Sequence, residues 1–338
     1  MMQDFNASAI GRLHEFLKKN KQSDEISLLT PDASTREYFR IKWNEKSAIA
    51  CVYPQSFIAQ EQTYLDVTNL FLECGLPVAR IYDFDEKSGV IVQEDLGDVI
   101  LRPILDKAEY EERDEYLNQA ITLIARIQAA TQKAFERNSI ASQLKFDEEK
   151  LIWELNFFKT HYFETLRNAP LSITDDAALS GEFRELARAL ETRAEVLCHR
   201  DFHAANLMIR PDGKLRIIDH QDARIGATSY DLVSLLLDRV REVPSTTWIR
   251  EKRLFFLAQR EYLGLKHIDP DDFALEFRLQ TIQRCLKAIG TFSFQSVNRG
   301  KTYFIPYIEP MFHIILQACE RLERFPHLQR IIKLTCVR

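Results

Sequence analysis

The chain has 338 residues, of which 46% are hydrophobic and 28% charged, a composition typical of a globular enzyme with room for two lobes or two domains. Its formal net charge of −5 argues against a protein built to coat nucleic acid or an anionic membrane. No stretch approaches the ~20 apolar residues of a membrane-spanning helix, and no secretion signal is visible. We therefore expect a cytoplasmic protein without nucleic-acid or membrane partners.

The six cysteines are scattered, without a C-x-x-C pair or the spacing of a zinc site. Most lie among apolar residues, where a cysteine is typically a buried free thiol in a reducing compartment. The sequence therefore predicts neither disulfides nor structural zinc.

The first part of the chain is predicted to be rich in strands. Its apolar residues alternate in short runs that are separated by turn residues, with two stretches of helical spacing. The second helix stops at Gly75 with Pro77 just beyond, which is a typical helix end. The predicted elements are a helix over 7–19, strands over 26–29, 37–43 and 48–53, a helix over 57–74, and strands near 78–84 and 89–94.

After residue 96 the pattern becomes mainly helical. The spacing predicts helices over 110–133, 153–162 and 182–193, and again from residue 230 to the end. A strand, a turn and a second strand interrupt them between residues 198 and 222. The change near residue 96 is interpreted as a hinge inside one enzyme.

The interrupting segment carries the most informative residues. Asp201 and Asn206 lie five positions apart in a short loop, and an apolar strand that ends at Asp219 follows. A carboxylate at Asp201 would take the proton of an acceptor hydroxyl, while an amide and a second carboxylate would hold Mg²⁺ on nucleotide phosphates. The alternatives are a solvated loop acid at Asp201, a turn residue at Asn206 and a strand-end cap at Asp219.

These residues belong to the stretches His199–Met208, Ile218–Ala223 and Tyr230–Leu235, which resemble the aminoglycoside phosphotransferase-like kinases. The resemblance covers nearly the whole chain. It implies an α+β, protein-kinase-like two-lobed fold, with a β-rich nucleotide-binding lobe over 1–96 and a mainly helical catalytic and substrate lobe over 97–338. It also implies ATP and Mg²⁺ as cofactors.

Three further stretches narrow the resemblance. They are similar to segments of the bacterial anomeric amino-sugar kinases, which phosphorylate the C1 hydroxyl of N-acetylmuramate and N-acetylglucosamine in peptidoglycan recycling. The stretches are Asp32–Arg40, Glu94–Asp98 and Arg284–Phe292. The resemblance thus implies a small-molecule sugar substrate.

The resemblance also assigns supporting and nucleotide-binding residues. The residue matching His199 packs beneath the catalytic loop, and the one matching Asp231 binds the loop backbone. Residues 93–96 match the hinge between the lobes, where the backbone at Glu94 and Leu96 would bind the adenine edge.

The loop over residues 31–38 takes the place of the phosphate-covering loop, although it lacks glycine. Its backbone amides and the hydroxyls of Ser34 and Thr35 would cradle phosphate oxygens. Arg36 or Arg40 would add positive charge, or either would be a surface residue on a strand. The lysine that most kinases carry on the third strand is missing, because Cys51 stands in its place.

Substrate binding is assigned to four residues. Trp153 and Glu154, on a helix that faces the acceptor site in this fold, suit a sugar ring, unless Trp153 belongs to the core. Asp222 faces either the sugar or solvent. Arg284, with Lys287 three residues later on the same helix face, would bind a carboxylate or a phosphate, or would form a solvated basic face.

Three functions remain open from the sequence. The first is an ATP- and Mg²⁺-dependent kinase for an anomeric sugar hydroxyl. The second is a kinase for another small hydroxyl compound, such as an aminoglycoside or a choline-like acceptor. The third is a pseudokinase, which the missing lysine favours and the presence of Asp201, Asn206 and Asp219 disfavours.

Overall fold

The structure is a computed structural model that describes residues 8–29 and 35–336. The chain divides into two compact units. The N-terminal unit comprises residues 1–106 and 205–222, and the C-terminal unit comprises 107–204 and 223–338. Asn206 and Asp219 therefore belong to the N-terminal unit, and Asp201 belongs to the C-terminal unit. The lobe boundary between residues 96 and 97 stays a prediction.

The N-terminal unit is built on a five-stranded antiparallel sheet with the strand order β1-β2-β3-β5-β4. Its strands are β1 (Ile26–Leu29), β2 (Glu37–Trp43), β3 (Lys46–Val52), β4 (Ile81–Asp85) and β5 (Val90–Glu94). Its helices are α1 (Ala9–Lys19), α2 (Thr63–Glu73) and α3 (Leu101–Leu105).

Helices cover this sheet because β2 and β3 present apolar side chains to them. Phe39, Ile41 and Trp43 alternate along β2 and are buried. Phe16 of α1 stacks on Trp43, with 5.7 Å between ring centroids. The alanines and valine of β3 join the same cluster, while Tyr64 of α2 packs with strand β5 in another.

A small hairpin is attached to the N-terminal unit and carries part of the candidate site. It consists of β7 (Leu207–Ile209) and β8 (Leu215–Ile217), which pair antiparallel. The Ile209 amide donates to the Val99 carbonyl at 2.8 Å, and the Ile217 amide donates to the Pro77 carbonyl at 2.9 Å. These bonds fix both ends of the hairpin, and thus the residues that flank it, to the N-terminal unit.

The C-terminal unit is mainly helical. Its only described sheet pairs β6 (Ala194–Cys198) antiparallel with β9 (Arg224–Ala227). Its helices are α4 (Tyr110–Ala129), α5 (Thr131–Glu136), α6 (Ile140–Gln143), α7 (Glu148–Phe158), α8 (Ile173–Glu191), α9 (Tyr230–Leu237), α10 (Thr246–Tyr262), α11 (Pro270–Asn298), α12 (Ile308–Leu322) and α13 (Pro326–Cys336). None of the helices in the described part of the chain is both long and apolar enough to span a bilayer.

The α+β class and the two-part organisation agree with the sequence prediction, but several helix bounds were wrong. The helix expected over 153–162 begins at Glu148, where the Asp147 side chain accepts from the Lys150 amide at 2.7 Å. The helix expected over 182–193 begins at Ile173, after the N-cap Ser172. The stretch expected to form one helix over 110–133 contains two, α4 and α5.

Helix α11 is the central element of the C-terminal unit. It runs for 29 residues, its N-terminus is capped by Asp269, and most of its side chains are buried. At Gly290 an added Cβ would lie 2.8 Å from the Cα of Phe158 and 3.0 Å from its amide nitrogen. The absence of a side chain at Gly290 is therefore what allows α11 to approach α7 so closely.

A matched pair of helical glycines tests this packing. Gly290→Ala should lower the free energy of unfolding by about 1–3 kcal/mol, because the new methyl group meets backbone atoms that cannot move aside. Gly181→Ala in α8 meets nothing within 4 Å. It should raise the free energy of unfolding by about 0.5–1 kcal/mol through helix propensity alone. Urea denaturation of both variants measures the difference; equal effects would contradict the proposed close packing.

Candidate active site

Asp201 lies in the loop after β6, and Asp231 holds the start of that loop. The amides of His199 and Arg200 donate to the two carboxylate oxygens of Asp231 at 2.7 and 3.1 Å. Arg200 has a φ of 85°, a left-handed conformation that costs a non-glycine residue free energy. Complete burial raises the pKa of Asp231 to about 6 despite these two hydrogen bonds. Asp231 therefore stabilises a strained turn immediately before Asp201.

His199 lies at the same turn and is completely buried. Its ring packs edge-on against Phe202 with 5.5 Å between centroids. The structure thus places both residues that the resemblance assigned to support, His199 and Asp231, against the backbone or the core beside Asp201.

Three cationic side chains surround the Asp201 carboxylate. Lys287 Nζ lies 2.8 Å and Arg284 Nη2 lies 3.3 Å from Oδ1, and Arg200 Nε lies 3.8 Å from Oδ2. Burial opposes the charge on Asp201, but the Lys287 and Arg284 cations outweigh it and hold the pKa of this carboxyl well below its ordinary value. These cations therefore favour the ionised form of Asp201.

Arg284 is not part of a solvated basic face, because it is only 5% exposed. Besides Asp201, its guanidinium donates to the Ser234 hydroxyl at 3.0 Å and lies 5.9 Å from the centroid of the Tyr230 ring. We expected Arg284 to bind an anionic group of the substrate. In the structure its charge is directed at Asp201, a contact that the helical spacing of Arg284 and Lys287 did not reveal.

Trp153 and Glu154 are adjacent in α7 but differ in environment. Trp153 is 55% exposed, with Lys150 Nζ 4.1 Å from its ring centroid, so the alternative that Trp153 belongs to the core is wrong. Glu154 is fully buried and accepts from Gln283 Nε2 at 2.7 Å through one oxygen. Among the described residues, its other oxygen has no hydrogen-bond partner, and neither does the buried Tyr230 hydroxyl.

Two buried polar groups without partners in one unit call for an explanation, because each costs free energy when the protein is folded. Glu154 and Tyr230 interact electrostatically with each other, and both interact with Arg284, the neighbour of Asp201. Glu154 was predicted as a site residue from the sequence, but Tyr230, Ser234 and Gln283 were not. These three are polar residues at helix positions that are otherwise apolar, and this is the feature by which they could have been found.

Asn206 and Asp219 flank the β7–β8 hairpin and meet within the N-terminal unit. Asn206 Nδ2 donates to Asp219 Oδ2 at 3.4 Å, and Gln221 Nε2 donates to Oδ1 at 2.9 Å. Asp219 has a φ of 63°, again a strained left-handed conformation. Its side chain is 44% exposed, so it is accessible to a ligand.

The donor set at this position fits Mg²⁺, which prefers oxygen ligands and takes few of them from the protein. Asn206 carries an amide oxygen and Asp219 a carboxylate. Over residues 8–29 and 35–336, no group of three or more histidine, cysteine or acidic side chains could enclose a metal ion. A magnesium ion here would therefore share its coordination with water and bound phosphates.

Arg36 is a cation close to Asp219. Its guanidinium nitrogen Nη2 lies 3.8 Å from Asp219 Oδ1. The guanidinium also lies 5.7 and 5.6 Å from the ring centroids of Tyr38 and Tyr53, and donates to the Tyr53 hydroxyl at 3.4 Å. The two rings and the tyrosine hydroxyl restrict the side chain, so its charge is held near Asp219.

The third strand carries no cation at the position where most kinases have lysine. Cys51 is buried there, and burial raises the pKa of its thiol to about 11, so it is neutral. In the sheet register Cys51 pairs with Tyr38, next to which Arg36 lies. Arg40, the other arginine considered from the sequence, instead pairs with Asp95 at 2.8 Å and Asp98 at 2.7 Å.

The remaining predicted residues have diverse environments. Ser34 lies outside the described residues, and Thr35 is exposed. Glu94 accepts from Arg210 Nη1 at 3.0 Å, and its own amide donates to the Arg80 carbonyl at 2.8 Å, so this amide is already engaged. Leu96 is buried at 6% exposure, as suits an apolar wall. Asp222 is half-buried.

His220 has a structural role in the N-terminal unit. It is fully buried, its Nε2 lies 2.7 Å from the Thr68 hydroxyl, and its ring stacks between Tyr64 and Phe71. It fixes the residue next to Asp219 to helix α2. These contacts favour a structural role for His220 over a role in a pocket.

His203, two residues after Asp201, should make stability depend on pH. Burial lowers its pKa to about 4, although Asp238 lies 3.8 Å from Nε2. Arg239 and Arg284 also face it and oppose protonation, whereas Asp201 favours it. A histidine with a depressed pKa in the folded state contributes its full stability above its unfolded pKa of ~6.5 and loses it as the pH falls towards 4.

We therefore expect the free energy of unfolding to fall between pH 6.5 and 4, with up to ~3 kcal/mol of the loss due to His203. His203→Gln should flatten the curve in this window. His313→Gln, at a half-exposed position on α12, serves as the control and should leave the slope unchanged. Urea denaturation at a series of pH values measures the free energy of unfolding. Identical slopes for wild type and His203→Gln would contradict the assignment of this pH dependence to His203.

The chain is similar in sequence to known phosphotransferases and kinases. The profile of the phosphotransferase enzyme family matches residues 25–278. The N-acetylmuramate/N-acetylglucosamine kinase of Neisseria meningitidis is 25% identical over 309 residues, which cover 91% of this chain and 90% of the relative. The enzyme of the same name from Caulobacter vibrioides is 24% identical over 335 residues, covering 94% and 87%.

Solved structures agree on the fold. The ADP-bound aminoglycoside phosphotransferase APH(2'')-Ib superposes with a TM-score of 0.55 at 14% identity, covering 90% of this chain and 96% of that one. The sequence resemblance to aminoglycoside phosphotransferase-like kinases and the kinase-like fold are thereby confirmed.

Proposed function

Because the chain belongs to the phosphotransferase enzyme family and is a kinase with a hydroxyl acceptor, we propose that it transfers the γ-phosphoryl group of ATP, with Mg²⁺, to the anomeric C1 hydroxyl of an N-acetylated amino sugar. N-acetylmuramate and N-acetylglucosamine are the proposed acceptors, and cytoplasmic recycling of cell-wall sugars is the proposed context. The observation that carries the proposal is the placement of the Asp201 carboxylate among the cations of Lys287, Arg284 and Arg200.

Asp201 is the proposed base. The transition state of phosphoryl transfer is loose, so the acceptor hydroxyl needs to be oriented from the start but gives up its proton only late. A carboxylate with a low pKa suits this task, because it accepts a hydrogen bond from the hydroxyl without removing the proton early. Lys287 and Arg284 hold the carboxylate in place, and as cations they also favour the negative charge that develops on the transferred group.

Asn206 and Asp219 are the proposed metal ligands. Mg²⁺, when bound, neutralises the negative charge of the nucleotide phosphates. The strained backbone at Asp219 and the hydrogen bond from Gln221 orient the carboxylate before any ligand arrives. This preorganisation supports a ligand-binding role over a strand-end cap.

Arg36 is the proposed substitute for the missing lysine. Its guanidinium is fixed by Tyr38 and Tyr53 and lies beside the Asp219 carboxylate, much as the lysine of other kinases serves the phosphates near the metal. A guanidinium binds two phosphate oxygens at once, which a lysine ammonium does not. This substitution removes the main argument for a pseudokinase.

The acceptor is proposed to bind in the C-terminal unit, near Glu154 and Tyr230. A sugar hydroxyl would satisfy both buried groups, by donating to the free Glu154 oxygen and accepting from the Tyr230 hydroxyl. Trp153 offers an exposed aromatic face for a sugar ring. The cations around Asp201 disfavour an aminoglycoside or a choline-like acceptor, which is itself positively charged, and this favours the neutral or anionic amino sugars.

Asp201→Asn tests the base. It should lower kcat by at least ~100-fold, because general base catalysis is typically worth a factor of 10²–10⁴, and leave the affinity for ATP nearly unchanged. A coupled ADP assay with Mg-ATP and a panel of amino sugars, aminoglycosides and choline measures turnover, and calorimetry measures ATP binding. Normal turnover by Asp201→Asn would exclude this residue as the base. If the wild-type protein binds ATP tightly but phosphorylates none of the acceptors, this result would instead support a pseudokinase.

Arg36→Gln tests the replacement of the lysine. It should raise the KM for ATP roughly 10- to 100-fold, because a charge-assisted hydrogen bond to phosphate contributes ~1.5–3 kcal/mol. Arg36→Lys should recover part of this loss, since it restores the charge but not the two-pronged geometry. Lys42→Gln removes an exposed cation from β2, the strand that follows Arg36, and should leave the KM for ATP unchanged. An unaltered KM in Arg36→Gln would refute the role of Arg36.

A further inference from the structure

A cleft lies within the C-terminal unit, lined by α9, α10, α11, α12 and the segment between α9 and α10. Its cavity volume is about 80 Å³, several times the ~10–15 Å³ that one water molecule needs. The lining combines arginines, uncharged polar residues and apolar residues. They include Arg253, Arg278, Arg321, Phe277, Ile314 and Leu237.

The three arginines have no acidic partner at close range. Within residues 8–29 and 35–336, no carboxylate lies within 4.0 Å of a guanidinium nitrogen of Arg253, Arg278 or Arg321. Elsewhere in the unit, arginines pair readily, as Arg193 does with Asp272 at 2.9 Å. The cleft therefore concentrates positive charge that no close ion pair within the described residues neutralises.

Burial and the crowding of these cations lower the pKa values of two of the arginines. Burial, and then repulsion by Arg278, Arg250 and Arg321, lower the pKa of Arg253. Burial and repulsion by Arg321 likewise lower the pKa of Arg278, and Asp271 is the acid that partly offsets both. Arg253 Nε is buried without a hydrogen-bond partner in the described part of the chain. Its guanidinium lies 5.6 Å from the centroid of the Phe277 ring.

We propose that this cleft is an anion-binding site for a small molecule that carries a phosphate group. Guanidinium groups bind the oxygens of phosphate in pairs, and three of them match a dianion better than the single charge of a carboxylate. The small volume admits one phosphate group, and the apolar residues beside it would contact a hydrocarbon portion of the ligand. The site is distinct from Asp201, Asn206 and Asp219 and does not depend on the proposed kinase reaction.

Calorimetric titration tests the site, with inorganic phosphate, hexyl phosphate and hexanoate as probes at constant ionic strength. We expect saturable binding of phosphate, tighter binding of hexyl phosphate because of the apolar lining, and weaker binding of hexanoate. The double variant Arg253→Gln/Arg278→Gln should weaken binding of hexyl phosphate at least ~10-fold, the equivalent of one lost charge-assisted contact. Arg321→Gln changes an exposed residue and should also weaken binding of hexyl phosphate. It provides a second test of the cleft if the double variant does not fold.

Two controls identify the position of binding. Arg299→Gln removes an exposed arginine at the C-terminal end of α11, outside the cleft, and should bind phosphate as wild type does. Arg36→Gln should also retain binding, which separates the cleft from the proposed nucleotide site. Without a ligand, the double variant should unfold at an equal or higher temperature, because like charges have been removed. Unchanged binding in both cleft variants, or no saturable binding by wild type, would overturn the proposal.

Discussion

The ion pairs of Asp201 with Lys287 and Arg284 are the interaction on which the rest of the C-terminal unit depends. They join a loop to a helix more than eighty positions later in the chain, and they are effective only if both partners are fixed. Asp231 fixes the loop by binding its backbone, and Gly290 lets α11 pack close to α7. The fold of this unit can thus be understood as the framework that keeps one carboxylate ionised in a partly buried position.

In the N-terminal unit, the electrostatic requirement is a positive charge beside Asp219. The third strand has no lysine at position 51, where Cys51 packs as a small, neutral hydrophobic side chain. The positive charge moves to Arg36, at the edge of the neighbouring strand, where two tyrosine rings hold it beside Asp219. In the proposed role, Arg36 supplies near Asn206 and Asp219 the positive charge that the strand lysine supplies in other kinases, as expected if electrostatics rather than residue identity is under constraint.

Local features could be predicted from the sequence, whereas contacts between residues far apart in the chain could not. Strand β2 was predictable because its apolar residues alternate, and Asp201, Asn206 and Asp219 were recognisable because their spacing is local. The pairing of Arg284 with Asp201 was not, since a buried cation and a solvated one share the same helical spacing. Likewise, the start of α7 at Glu148 depends on a cap at Asp147 that apolar periodicity does not register.

The neutral thiol at position 51 has a consequence for chemical probes. Nucleotide reagents that acylate the conserved strand lysine of kinases need an amine beside the phosphates, and the buried Cys51 offers none. A guanidinium such as that of Arg36 does not react with them, because it keeps its proton. Labelling at this strand position should therefore fail even when the proposed nucleotide site is intact, so surveys that rely on that lysine alone would overlook enzymes built in this way.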